Sequence, residues 1–269
     1  MDDPRLLNLE TTTRCNGRCV YCVRDMIGNH DMPLEVYKRC IDAFPEVEEV
    51  WPHGIGEPLL YPHIVEAVKY AADADMKVIM YTNATLLKED ISKALIDAGL
   101  TRMVFSVDAA DPITYAKLRP GLDWTKVVEN TERFCRLSDG MHTTARITVT
   151  PKNKDQTNEI VKFWMDKGVT SVMLAPVNDI PSFDFAPLWS SKQDRVDCDN
   201  PHEHFIVRVN GDVVPCCRDR WLHYRMGNVN EQDPRAIWEG ANWRGLREAM
   251  LSGQNYPRLC DICKGVSNA

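Results

Sequence analysis

Apolar residues along the chain alternate between short continuous runs and stretches with a helical period. The runs predict six strands, at residues 6–10, 48–51, 77–81, 102–107, 145–149 and 171–174. Between them, apolar positions recur every three or four residues, which predicts helices at 33–44, 62–74, 88–98, 123–137 and 156–167, with a short one after Asp111. Strands that alternate with helices favour an α/β fold with a parallel sheet and right-handed crossovers. Six such units are fewer than the eight of a closed TIM barrel.

The alternation stops near Pro176, where further prolines mark a linker. Beyond it, Asn210-Gly211 separates two β-type runs, 205–209 and 212–216, and predicts a hairpin. Helical stretches follow near 234–239 and 242–251. We therefore expect two domains, a core at 1–178 and a linker with a small hairpin-plus-helix domain at 179–269.

Composition and charge narrow the class of protein. The 269 residues are 44% hydrophobic, and the net charge is 32 minus 39, or -7, which gives no reason to expect nucleic acid as a partner. No apolar run has the length of a membrane span and the N-terminus has no signal peptide pattern, so we expect a cytoplasmic protein that does not bind a membrane. Ten cysteines in such a chain favour metal or redox chemistry over disulfides.

The first cysteine group is the stretch CNGRCVYC, directly after the first predicted strand. It places Cys15, Cys19 and Cys22 in one loop. Three thiolates on a cubane cluster of four irons leave one iron open, which suits a site that binds and activates a small molecule. The alternative is a zinc site, for which His30 is the nearby candidate for a fourth ligand.

This spacing, with Tyr21 just before the last cysteine, resembles the signature of the radical S-adenosylmethionine (SAM) superfamily. The resemblance implies an open, partial (β/α)6 TIM-like barrel and a [4Fe-4S] cluster whose open iron chelates SAM. In that family the reduced cluster cleaves SAM to methionine and a 5'-deoxyadenosyl radical, which removes a substrate hydrogen atom. It further implies an external electron donor such as flavodoxin or ferredoxin.

Residues at the ends of the later predicted strands extend the resemblance. His53-Gly54-Ile55-Gly56-Glu57-Pro58 is similar to the family's G-G-E-P segment, with Ile55 in place of a glycine, and Thr82-Asn83 is similar to its T-N-G. Ser106 and Asp108 end the fourth strand, and Arg146 lies within the fifth. Each of these alone also fits a turn, a cap or a surface charge. The SAM-binding residues that the resemblance implies are Tyr21, Gly54, Gly56, Glu57, Asn83, Ser106, Asp108 and Arg146.

The second cysteine group lies in the C-terminal region. Its pattern, C-x12-G-x4-C followed by C-x2-C, resembles the twitch domain, a shortened SPASM domain of the same superfamily. This implies an auxiliary [4Fe-4S] cluster, the second of two, held by Cys198, Cys216, Cys260 and Cys263; a structural zinc site with the same ligands is the alternative. Because side chains alternate across a strand, we expect Cys217 to be no ligand, and to lie on the opposite face or near the substrate.

The expected function is dehydrogenation of a secondary alcohol on a small sugar or aminocyclitol, with the auxiliary cluster as electron acceptor. A twitch domain and no N-terminal extension are similar to the aminocyclitol dehydrogenase of aminoglycoside biosynthesis. A sugar epimerase with Cys217 as hydrogen-atom donor is the main alternative. A peptide-modifying maturase is disfavoured because no leader-binding module precedes Leu6, and a non-enzymatic iron-sulfur or zinc scaffold would need no open iron.

Overall fold

The core of the molecule is a parallel sheet of six strands in sequence order. The computed structural model describes residues 3–23, 28–177, 198–219 and 221–262. Neighbouring core strands pair in parallel throughout. This architecture confirms the predicted α/β class and is consistent with a partial TIM barrel. The strands are β1 (Leu6–Leu9), β2 (Glu49–Trp51), β3 (Lys77–Thr82), β4 (Leu100–Ser106), β5 (His142–Val149) and β6 (Ser171–Pro176).

Six helices connect these strands, close to where the apolar period predicted them. The side chain of Asp111 accepts hydrogen bonds from the backbone of Ile113 and Thr114, and that of Asp123 accepts one from Lys126, so both residues are N-caps of the predicted helices. Cys40 is fully buried on the first helix, where it is a small core residue. The helices are α1 (Leu34–Asp42), α2 (Ile64–Asp73), α3 (Glu89–Asp97), α4 (Pro112–Leu118), α5 (Trp124–Leu137) and α6 (Thr157–Asp166).

The C-terminal region adds its hairpin to the core sheet. Strand β7 pairs in parallel with β1, with Leu6 opposite His204, and the antiparallel strands β8 and β9 follow it. Gly211 makes the predicted turn with a φ of +85°, which favours glycine. The elements of this region are α7 (Asn200–Glu203), β7 (His204–Val207), β8 (Asp212–Val214), β9 (Gly227–Asn228), α8 (Pro234–Trp238), α9 (Ala241–Ser252) and α10 (Leu259–Ile262).

Two details of this region are not apparent from the sequence. Helix α7 ends at Glu203, so His204 belongs to β7 and His202 does not. The hairpin continues the core sheet beside β1. The linker lies largely outside the described residues, so the domain boundary at residue 178 stays a prediction.

The two faces of the sheet differ in chemistry, and this positions the site. Leu7, Met80 and Phe105 point into the buried core that the helices cover. Because side chains alternate along a strand, Tyr81 and Arg146 lie on the opposite face, which lines the interior of the barrel. No helix in the described part of the chain is long and apolar enough to cross a membrane.

Candidate functional site

The three-cysteine loop begins directly beyond the carboxyl end of β1. Cys15 and Cys19 are half-buried and Cys22 is exposed. Burial is the main cause that raises the pKa of the Cys15 thiol to about 11; the Gly17 amide, which donates to the sulfur over 3.4 Å, opposes the rise, and the negative charges of Glu57, Cys19 and Cys22 add to it. Burial and repulsion from neighbouring negative charges thus penalise free thiolates at Cys15 and Cys19. A metal cluster that neutralises them fits such a donor set.

The chemistry of the three-cysteine loop suits either a cubane or a zinc ion. A zinc site needs four ligands at about 2.0–2.3 Å from one ion. On a cubane each cysteine binds a different iron, and three cysteines leave one iron open. The cubane at this loop is therefore the cluster that its spacing implies.

The segment from Gly54 to Glu57 packs directly against the start of the cysteine loop. A methyl group at Gly56 would lie 2.3 Å from the Thr12 carbonyl oxygen and 2.7 Å from that of Arg14. At Gly54 it would lie 2.4 Å from the Glu10 side chain. The Glu57 amide donates to the Arg14 carbonyl over 2.8 Å. Close approach of the loop backbone thus requires glycine at residue 56, and the Glu10 side chain occupies the space beside Gly54.

Glu57 connects this segment to the end of β3. Its buried carboxylate accepts hydrogen bonds from the Thr82 hydroxyl over 2.6 Å, the Asn83 amide over 2.7 Å and the Leu59 amide over 3.2 Å. Burial raises the pKa of Glu57, and these hydrogen bonds oppose the rise. The structure thus places Glu57 in a network of the chain's own groups, and its predicted contact with SAM stays a prediction.

Asn83 reaches from β3 to the cysteine loop. Its side-chain amide donates to the Asn16 side-chain oxygen over 2.8 Å, and Asn16 donates to the Thr85 hydroxyl over 2.7 Å. Asn16 lies next to Cys15 in the sequence. The predicted cofactor-binding residues Glu57 and Asn83 therefore hold the ends of β2 and β3 against the loop that carries the thiols.

The end of β4 holds a buried ion pair that the sequence did not reveal. Asp108 lies 2.6 Å from the Arg119 guanidinium and also accepts hydrogen bonds from the Thr148 amide over 2.7 Å and from the Tyr21 hydroxyl. Burial raises the pKa of Tyr21, which fits a phenol that donates to this carboxylate. Asp108 and Tyr21, both predicted to contact SAM, thus contact each other. Ser106, two residues before Asp108, is half-buried at the end of β4 and pairs with Arg146 of β5.

Aromatic and basic side chains fill the interior face of the barrel. The His53 ring lies 4.3 Å from Tyr81 and 5.7 Å from Trp51, and Trp51 lies 6.2 Å from His204. Burial, together with the positive charge of Arg146, lowers the pKa of His53 to about 3, so the imidazole is neutral. Arg146 therefore lies in the barrel interior, beside residues that sequence reasoning had not singled out.

The second cysteine group lies beside the C-terminal hairpin. Cys198, Cys216 and Cys260 are half-buried and pack against the same hydrophobic core, whereas Cys263 lies outside the described residues. The Cys216 sulfur accepts hydrogen bonds from the Arg218 amide over 3.4 Å and the Asn200 side chain over 3.7 Å. Donors aimed at a sulfur suit a thiolate ligand. The four-cysteine assignment stays a prediction.

Strand alternation does not determine the position of Cys217. Strand β8 ends at Val214, so alternation does not apply to Cys216 and Cys217, and a hydrogen bond with the Cys217 thiol, together with burial, raises the pKa of Cys216. Cys217 is exposed, and its charge acts on Tyr81 in the barrel interior. Whether Cys217 lies near a substrate stays a prediction.

A buried ion pair joins the hairpin cysteines to the glycine segment. Arg208 donates to the Cys217 carbonyl over 3.3 Å and lies 3.7 Å from Glu10 at the end of β1. Glu10 in turn accepts from the Ile55 amide over 2.9 Å. The glycine segment and the hairpin cysteines are therefore fixed to one another through two side chains.

Comparisons with known proteins agree with this geometry. The family model of the Radical SAM superfamily matches residues 9–163, and that of the SPASM iron-sulfur cluster-binding domain matches residues 198–264. The chain is 32% identical to an AdoMet-dependent heme synthase of Methanosarcina barkeri, over 99% of this chain and 93% of the relative. It is 26% identical to the tungsten-containing aldehyde ferredoxin oxidoreductase cofactor-modifying protein of Pyrococcus furiosus, over 96% of this chain and 86% of the relative.

Solved structures share the fold at low identity. BtrN in complex with AdoMet and 2-DOIA superposes with a TM-score of 0.60 at 18% identity, over 94% of this chain and 89% of BtrN. SuiB of Streptococcus suis bound to S-adenosylmethionine gives a TM-score of 0.77 at 17% identity, over 98% of this chain and 73% of SuiB. The three-cysteine loop, the glycine segment and the family models lead to one conclusion. The chain belongs to the radical SAM superfamily and carries a C-terminal SPASM-type iron-sulfur domain.

Proposed function

We propose that the protein dehydrogenates a secondary alcohol of a small sugar or aminocyclitol and passes one electron to an auxiliary cluster. The observation that supports this most directly is the polar interior of the barrel, where Arg146, His53 and Tyr81 lie together. BtrN, whose structure contains AdoMet and 2-DOIA, has the same fold. When bound, SAM and its cluster supply a radical that removes one hydrogen atom from the substrate.

The balance of the reaction gives a role to the second cysteine group. A substrate alcohol that has lost a hydrogen atom from carbon becomes a ketone only when its hydroxyl proton and one more electron leave. An auxiliary cluster at Cys198, Cys216 and Cys260, completed by Cys263, is a suitable one-electron acceptor. The Arg208–Glu10 ion pair fixes the loop beyond β8, which carries Cys216, next to the barrel opening.

His53 is suited to orient the substrate and unsuited to remove its proton. One ring nitrogen bonds the Ile79 backbone, while the Nδ1 atom is buried and has no partner among the described residues. A substrate hydroxyl that donates to Nδ1 would satisfy this acceptor. With a pKa of about 3, however, the imidazole is a weak base at neutral pH.

Epimerisation is the second candidate, and the position of Cys217 favours it. An epimerase returns a hydrogen atom to the substrate radical from a thiol, and the Cys217 thiol is exposed and close enough to influence Tyr81. In this case the second cluster would accept no electron from the substrate. The two functions differ in the net loss of two hydrogens.

Product mass distinguishes the candidates. Reconstituted protein is incubated without oxygen with SAM, a reductant and a panel of sugars, aminocyclitols and haem precursors, the last because of the relative in haem synthesis. Dehydrogenation predicts a ketone lighter by two hydrogens and one 5'-deoxyadenosine per product. An isomer that carries one carbon-bound deuterium from deuterated water would instead establish epimerisation.

A thiol variant supplies the second arm of this test. Cys217→Ala retains turnover if the protein is a dehydrogenase and stops product formation, but not SAM cleavage, if it is an epimerase. Cys135→Ala is the matched control, because that half-buried thiol lies on α5 and bonds Thr143. Turnover of neither sugars nor aminocyclitols, with turnover of a haem precursor, would refute the proposed substrate class.

A further inference from the structure

Arg119 lies beside the three-cysteine loop and is almost completely buried. Its side chain is 7% exposed, and its Nε atom lies 2.6 Å from the fully buried Asp108 carboxylate. Its Nη1 atom lies 3.6 Å from the Cys19 sulfur and donates a hydrogen bond to it. The guanidinium also lies 5.7 Å from the centre of the Tyr21 ring. A single cation therefore contacts a β4 carboxylate and a thiol of the loop at once.

The backbone on both sides of Arg119 is fixed to the same loop. The Arg18 amide donates to the Pro120 carbonyl over 3.0 Å, and the Val20 amide donates to the Leu118 carbonyl over 3.0 Å. These two bonds join the residues on either side of Cys19 to the residues on either side of Arg119. The guanidinium therefore faces the Cys19 thiol because of the backbone pairing, and not through a flexible reach of its side chain.

Asp108 holds the guanidinium from the other side. Its second carboxylate oxygen accepts the Thr148 amide over 2.7 Å, and its backbone carbonyl accepts the Asn153 side chain over 2.9 Å. If the Arg119 guanidinium left this position, Asp108 would be a buried charge with no cation beside it, which is strongly unfavourable. The arginine is thus held in place from β4 and β5 as well as from the loop.

A donor and a positive charge next to a ligand sulfur change the energetics of a cluster. Reduction adds one negative charge to the cluster, and a nearby cation stabilises that added charge. Hydrogen bonds to the sulfurs, net charge and burial are the established levers on cluster potentials. Because Arg119 is buried, solvent and salt screen its charge much less than they screen the exposed Lys117 two residues earlier.

We propose that Arg119 is a positioning residue that holds the Cys19 thiolate in its ligating orientation and raises the reduction potential of the cluster bound there. The effect makes the cluster easier to reduce by the external electron donor. The proposal rests on the cluster that family membership implies, and is independent of the substrate and of the outcome proposed above.

The test is a redox titration of the holoenzyme followed by electron paramagnetic resonance. The signal that changes when SAM is added identifies the cluster at Cys15, Cys19 and Cys22, and separates it from the auxiliary cluster. Arg119→Gln should lower its midpoint potential by about 59 mV or more, which corresponds to a tenfold smaller reduced fraction for a one-electron couple at fixed poise. Lys117→Gln removes one positive charge from the same helix at an exposed position and should leave the potential unchanged.

Two further variants keep the outcome clear if Arg119→Gln folds poorly. Asp108→Asn combined with Arg119→Gln leaves no unpaired buried charge, and should bind full iron at a lowered potential. Arg119→Lys keeps the charge and should recover part of the shift. An unchanged potential in the double variant would overturn the proposal. A folded double variant that binds no iron in this loop would also overturn it, because a purely structural role for Arg119 would then suffice. Substrate is absent throughout, so failure here is separate from failure of the proposed function.

Discussion

Gly56→Ala is the substitution that tests the packing of the glycine segment against the cysteine loop. The added methyl would meet two backbone oxygens, of Thr12 at 2.3 Å and of Arg14 at 2.7 Å. Neither oxygen can rotate away as a flexible side chain would. Relief therefore requires that the glycine segment and the loop before Cys15 move apart.

The size of the effect follows from these contacts. Overpacking a close contact costs about 1–3 kcal/mol. Separation of the two segments also breaks the hydrogen bond from the Glu57 amide to the Arg14 carbonyl, 2.8 Å in length, which adds about 1 kcal/mol. We expect a loss of about 2–4 kcal/mol in the free energy of unfolding. For a domain of this size that lowers the Tm by about 4–16 °C.

Urea unfolding of the metal-free protein measures this loss, with Gly245→Ala as the matched control. An added methyl at Gly245, on α9, meets nothing within 4 Å. Alanine is also preferred over glycine in a helix, so the control should be stabilised by about 0.5–1 kcal/mol. If Gly56→Ala unfolded at the same urea concentration as wild type, the close approach of the glycine segment to the cysteine loop would be refuted.

Three other predictions follow from buried groups of the site. His53 is neutral when folded, with a pKa of about 3 against an ordinary 6.5, so acid favours the unfolded state below pH 6.5. Between pH 7 and pH 5, wild type should therefore lose about 2 kcal/mol more stability than His53→Gln. His63→Gln, at an exposed position, is the control. Glu57→Gln places an amide donor against backbone donors and should cost about 1–3 kcal/mol in urea unfolding, whereas the same change at exposed Glu66 should cost almost nothing. Alanine in place of the auxiliary ligands should remove about four irons per chain by iron assay, and leave the SAM-dependent resonance signal in place; the residues concerned are Cys198, Cys216, Cys260 and Cys263.

The fold was largely predictable because its signals are local. The apolar runs and helical periods placed all six core strands and the six helices between them within a few residues, and Asn210-Gly211 placed the hairpin. The pairing of β7 with β1 was not predictable. Alternation along a strand shows which side chains share a face, but it does not identify the neighbouring strand.

The site, too, has one part that the sequence predicted and another that it did not. Cysteine spacing located the loop at Cys15 to Cys22, because all three cysteines of the pattern lie within eight residues. Arg119 lies 100 residues beyond Cys19, at the end of a helix and before a proline, where an arginine has no distinctive pattern. The alternation argument for Cys217 did not apply because β8 ends before it, and strand ends are the least certain feature of a sequence-based assignment.

The measurement that tests the central claim most directly is SAM cleavage and iron content in protein whose Cys15, Cys19 and Cys22 are replaced together by alanine. Wild type, reconstituted without oxygen, should bind roughly eight irons and form 5'-deoxyadenosine from SAM when a reductant is present. The variant should keep about four irons and form no 5'-deoxyadenosine. Cleavage of SAM by the variant, or wild type purified anaerobically from iron-replete cells with a full complement of zinc and no iron, would contradict the account.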